Sequence, residues 1–151
     1  MNKIRYSLED IRSLVHRFEN VKQAGISMMN ELKELINENP QLIDLLDCDT
    51  QFLYFRFFDL NFLVQIEVNS TKIENATGVI KTYMMTEQSS ALSLENVEFT
   101  FDDSGNIQLK DDLYILTTEV FPYFFVSKLT EFILKEKLII RPQAELAKYT
   151  R

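Results

Sequence analysis

The chain has 151 residues, 46% of them hydrophobic and 26% charged, with a formal net charge of −7. That length and apolar content fit one folded core and exclude wholesale disorder. The acidic balance argues against a nucleic-acid-coating protein, because phosphate binding needs clustered cations.

Scarce residue types narrow the chemistry further. Cys48 is the single cysteine and His16 the single histidine, so neither an internal disulfide nor a four-ligand His/Cys zinc site can form. Three glycines, Gly25, Gly78 and Gly105, cannot supply the clustered backbone donors of a phosphate-cradling loop. No apolar run approaches the ~18 residues of a membrane helix. The start, Met1 to Arg5, has positive charge but no apolar run behind it. The expectation is therefore no secretory signal and a cytoplasmic location. The triplets at Asn69 and Asn75 that match the N-glycosylation pattern are read as chance.

In chain order, Ser7 with Asp10 three residues on marks a helix start. The run Ile11, Leu14, Phe18, Val21, Gly25, Met28, Leu32, Leu35 alternates steps of three and four, a heptad seam. Val15, Met29 and Ile36 widen it. The pattern predicts a helix over 8–36, with Gly25 marking either a bend or a close approach by another backbone. Asn39-Pro40 predicts the cap and first position of a short helix, Pro40 to Asp47.

The middle reads as β. Gln51 to Phe58 predicts an aromatic-rich strand, with Asp59-Leu60-Asn61 as a hairpin connection. Phe62, Val64, Ile66 and Val68 alternate with polar neighbours in a period-two strand. Asn69 to Ala76 reads as a polar loop, and Gly78 to Glu87 as a third strand. Val97 to Asp102 and Ile107 to Leu109 flank a turn at Asp103–Asn106. Pro122 sits in the first turn of a last helix whose apolar face is Phe121, Phe124, Phe125, Leu129, Phe132 and Ile133. Leu138-Ile139-Ile140 reads as an edge strand or extended tail, and Gln143 to Lys148 as a small helix. With no repeat or linker, residues 1–151 read as one α+β domain. It comprises a long N-terminal helix, a four- to five-stranded antiparallel meander and a C-terminal helix packed on the sheet.

Candidate chemistry is sparse. Cys48 lies between Asp47 and Asp49, and two anions disfavour a thiolate nucleophile. From Asp102 the sequence fails the calcium-loop pattern, because Ile107 and Leu113 occupy its glycine and bidentate-acid positions. No metal, cofactor or nucleophile motif is present.

Two features stand out. Six aromatics crowd Phe52 to Phe62. On an alternating strand, Phe52, Tyr54 and Phe58 face one side and Leu53, Phe55 and Phe57 the other. Helices on one face only are expected to leave the second set as an exposed interface. Charge is also segregated, net −10 over residues 1–127 and +3 over 128–151.

In outline, a small acidic chain running helix, sheet, helix is similar to secretion chaperones that dimerise and bind an extended partner. It is also similar to small immunity or antagonist proteins. The sequence therefore points to a non-enzymatic, acidic protein-binding module, expected as a homodimer, that occludes or stabilises a partner surface. It is expected to use no cofactor, no nucleic acid and no membrane. Its contacts would be Leu53, Phe55, Phe57, Phe18 and Met28, with Asp44, Asp47, Asp49, Asp102 and Asp103 steering approach. One alternative is a ligand-binding or enzymatic domain with a pocket between sheet and last helix, lined by Tyr83, Phe99, Tyr114 and Phe125. Another is a nucleic-acid mimic with acids aligned on one face.

Overall fold

The computed structural model describes residues 6–72, 75–86, 90–110, 112 and 114–136. Helix α1 spans Leu8–Glu38 without a break, 31 residues or about 46 Å. Its start is a complete capping box. The Ser7 hydroxyl accepts from the Asp10 amide at 3.1 Å, and the Asp10 carboxylate accepts from the Ser7 amide at 3.0 Å. Asn39 closes the helix, its side-chain amide donating to the Leu35 carbonyl at 2.8 Å.

The expected second helix over 40–47 is instead a turn followed by strand β1, Ile43–Cys48. Asn39 serves as the C-cap of α1 rather than the N-cap of a new helix. Ile43 turns into the core while Asp44 faces water, and β1 pairs with β2, Phe52–Phe57. The pairing shifts register between Leu45 and Asp47. That irregularity, with exposed Asp44 and Asp47, blunts an edge strand that would otherwise template aggregation.

β2 returns as β3, Leu60–Lys72, through a two-residue turn at Phe58 and Asp59. Both carry positive φ, 52° and 60°, the hairpin geometry that matches strand twist. β4, Asn75–Met85, pairs with β3 along its length. The polar stretch expected as a loop, Asn69 to Ala76, instead falls largely within β3 and β4, with a register irregularity between Asn69 and Lys72. One edge of β4 is shared by two strands. Thr77–Ile80 pairs with β6, Phe99–Asp102, while Tyr83–Met85 pairs with β5, Ala91–Ser93. Between them a 3-10 turn, Glu95–Val97, places the Val97 carbonyl to accept from the buried Thr82 hydroxyl at 3.5 Å. β7, Ile107–Leu109, and β8, Ile115–Leu116, complete an antiparallel sheet in the order β1-β2-β3-β4-β6-β7-β8. Among the described residues the sheet has eight strands, more than the four or five expected, because β5 and β8 are too short to show a period and β1 reads as helix.

Helix α2, Phe121–Lys135, opens with a proline in its first turn and buries Phe121, Phe125, Leu129 and Ile133, a stripe at four-residue spacing. Both helices lie on the same sheet face. That face carries Leu53, Phe55, Phe57, Phe62, Val64, Ile80, Phe99 and Phe101, all buried. The sequence-predicted segments 138–140 and 143–148 lie outside the described residues.

Candidate interaction surface

The split of the β2 aromatics into two sets is as the alternation implies, but the covered set is the opposite one. Leu53, Phe55 and Phe57 are buried beneath the helices, with the Phe55 and Phe62 rings 5.7 Å apart. They cannot meet a partner, and neither can Met28, also fully buried. The reason is global: helices cover whichever face the whole sheet makes most apolar, and β3, β4 and β6 cast that vote with β2. Phe52 and Tyr54 lie on the other face, half-buried. Tyr54, Leu63 and Tyr83 form a cross-strand row there.

Phe18 has a different setting. From Val21 onward the α1 seam is buried at Val21, Gly25, Met28, Met29, Leu32 and Ile36. Before Val21 the same periodicity continues with no described strand burying it. None of the thirteen residues 8–20 is buried. Leu8 is 79% exposed, Ile11 46%, Val15 55% and Phe18 38%. Steps of three, four and three put these four side chains along one side of the helix. Isolated apolar side chains on a surface are ordinary, but a contiguous stripe marks an interaction site. The arm carries little net charge. Within residues 8–20, Glu9, Asp10 and Glu19 stand against Arg12 and Arg17, a net −1, in a chain whose whole carries −7.

The five acids do not form one patch. Asp44, Asp47 and Asp49 lie on β1 and the turn after it, whereas Asp102 and Asp103 lie at the β6–β7 turn, four strands away. At about 4.8 Å per strand this is roughly 19 Å. Two of the acids hold turns together. Asp49 accepts from the Gln51 and Phe52 amides at 2.6 and 3.1 Å. Asp102 accepts from the Ser104 and Asn106 amides at 2.9 and 3.0 Å and from the Asn106 side chain at 3.1 Å. This Asx geometry explains the run that superficially suggests a calcium loop.

The expected pocket is not assembled. Phe99 and Phe125 do meet, 6.1 Å between ring centroids, but Phe121 packs beside them and the space is filled. Tyr83 lies on the far side of the sheet, because β4 turns Ile80 and Thr82 inward and Lys81 and Tyr83 outward. Tyr114 is exposed. A 390 Å³ surface cleft does lie between β7 and α2, edged by Glu95, Asn96, Lys110, Lys128, Glu131 and Lys135. Two of its lysines are paired: Lys128 with Glu131 at 3.1 Å and Lys110 with Glu98 at 3.6 Å.

Cys48 ends β1, half-buried, its amide donating to the Asp47 carboxylate at 2.9 Å. Among the described residues no three His, Cys, Asp or Glu side chains converge at metal-binding spacing. No helix among them is long and apolar enough to cross a membrane. Comparison with protein-family models, with curated proteins and with solved structures returned no match.

Proposed function

We propose that this chain is a non-enzymatic, cytoplasmic protein-binding module whose docking element is the N-terminal arm of α1. It acts by occluding or stabilising a partner surface, without cofactor, nucleic acid or membrane. One observation carries the reading: the apolar seam buried from Val21 onward continues through Ile11, half-buried Leu14 and Phe18, with Leu8 and Val15 beside it, where no described part of the protomer buries it. The acidic body, set apart from an arm of only −1, keeps copies soluble and disfavours indiscriminate contact.

The test is affinity capture from the native cell by the wild-type chain and by a chain carrying Ile11→Ser, Val15→Ser and Phe18→Ser. Loss of a specific protein with the triple variant, while its circular dichroism stays that of the wild type, supports the reading. Equal recovery by both chains, second copies of the chain included, overturns it.

A further inference from the structure

Resting on that reading, we infer that the arm's partner is a second copy of the same chain, and that the two arms pair antiparallel about a two-fold axis near Ser13. The stripe matches itself when reversed. With residues summing to 26 placed opposite one another, Leu8 meets Phe18 of the partner and Ile11 meets Val15, the knob-and-hole layers of an antiparallel helix pair.

That register uses the whole exposed stripe and stops where it must. Leu8 of the incoming helix reaches Phe18 and ends short of Val21, where the sheet begins to cover α1. Charge favours the same arrangement. Two bodies of this −7 chain repel, and antiparallel pairing sets them at opposite ends of the joined arms, whereas parallel pairing would set them side by side. Contact runs through arms that carry only −1 each over residues 8–20. Two stripes of this length bury roughly 800–1,000 Å² in total, the size class of a reversible complex. An interface of this size is expected to be weak and reversible.

Sedimentation equilibrium from about 1 to about 300 µM tests the pairing. The expected result is a mass that climbs from 17.8 kDa toward twice that value. Val15→Glu shifts the midpoint at least tenfold on the order of a hot-spot loss, and added salt strengthens association by screening the bodies. A chain that stays monomeric throughout overturns the inference, as does a dimer indifferent to Val15→Glu.

Orientation is read separately in a Cys48→Ser background. Arg12→Cys lies beside the axis, its two copies about 3 Å apart along the helices, while Glu19→Cys copies lie about 18 Å apart. The first variant crosslinks on mild oxidation and the second does not; equal crosslinking rejects the antiparallel register. Replacing Arg12 also removes the one like-charge approach in the pair, so that variant associates at least as tightly as the wild type. If the wild type is monomeric yet the triple serine variant still loses a different protein in the capture experiment, self-pairing fails and the docking reading stands. If nothing is lost, both fail.

Discussion

The ring of Phe101 occupies the volume that a Cβ on Gly78 would need. Gly78 lies on β4 directly opposite Phe101 on β6. The same ring closes on α1, where a Cβ on Gly25 would lie 2.8 Å from Phe101 Cζ and 3.0 Å from Ile66 Cδ1. Two glycines distant in sequence thus make one slot for one phenylalanine. Gly25 therefore sits in a straight helix: it admits a side chain, neither bending the helix nor passing another backbone.

Gly78→Ala should accordingly cost about 1–3 kcal/mol through overpacking. Phe101→Leu alone should also destabilise, by opening space. The two changes together should cost clearly less than their sum, because the smaller side chain accepts the new methyl. Additive losses in chemical denaturation would mean that the ring does not rest on Gly78. Gly25→Ala gains about 1 kcal/mol of helix propensity against a similar steric cost, so its net effect should be the smaller of the two.

Along α1 the same substitution chemistry should have opposite consequences on either side of Val21. Met28→Ala removes a fully buried side chain and should cost about 2–5 kcal/mol. Val15→Ser should stay within about 0.5 kcal/mol when measured at ~1 µM, where association contributes little. Comparable losses at the two positions would show that the arm is packed.

The β2–β3 turn places an aromatic and an acid at positive φ, where glycine is the unstrained choice. Asp59→Gly should raise stability by about 0.5–1 kcal/mol. Phe58→Gly is a less clean test, because the Phe58 ring lies 4.5 Å from that of Phe57. A fall in melting temperature for Asp59→Gly would contradict the turn geometry.

Asp102→Ala removes an acceptor that serves three donors in the β6–β7 turn. A loss of about 1–2 kcal/mol is expected, with no dependence on added calcium. Stabilisation of the wild type by calcium would show that the carboxylate does more than hold a turn.

On the open sheet face, the Glu67 carboxylate 3.5 Å from Lys81, together with Tyr83, holds the ammonium above its ordinary value of 10.5. A lysine raised in the folded state contributes stability that is complete below its unfolded value and is lost as pH climbs through the folded one. Glu67→Gln should therefore lower the Lys81 midpoint in side-chain NMR and leave stability at neutral pH little changed. An unmoved midpoint would remove Glu67 as its cause.

Much of this architecture is legible locally. Ser7 with Asp10, the three-four spacing along α1, the alternation from Phe62 to Val68 and the turn at Asp103–Asn106 each carry their own signal. Other parts depend on what lies across the fold. Ile43 to Cys48 has no clean period, and only pairing with β2 makes it a strand. Residues 69–76 are mostly polar, yet backbone pairing needs no apolar side chain. Alternation sorts Phe52 and Tyr54 from Leu53, Phe55 and Phe57, but only the sum of neighbouring strands decides which set meets the helices. The candidate site has the same character. Phe18 and Met28 hold equivalent seam positions, and nothing nearby in the chain records where the sheet ends beneath the helix.

Residues 8–20 and 21–38 share one ladder of backbone hydrogen bonds but not one source of support. Thirteen residues of unburied helix are marginal in water, held by the cap and by what the inner turns nucleate. Their amide protons should exchange with solvent through fraying, orders of magnitude faster than those beyond Val21, which open only with the sheet. Proteolytic nicking should begin in those outer turns and be slowed by whatever docks there. A single helix thus carries two clocks, one set by encounter and the other by unfolding.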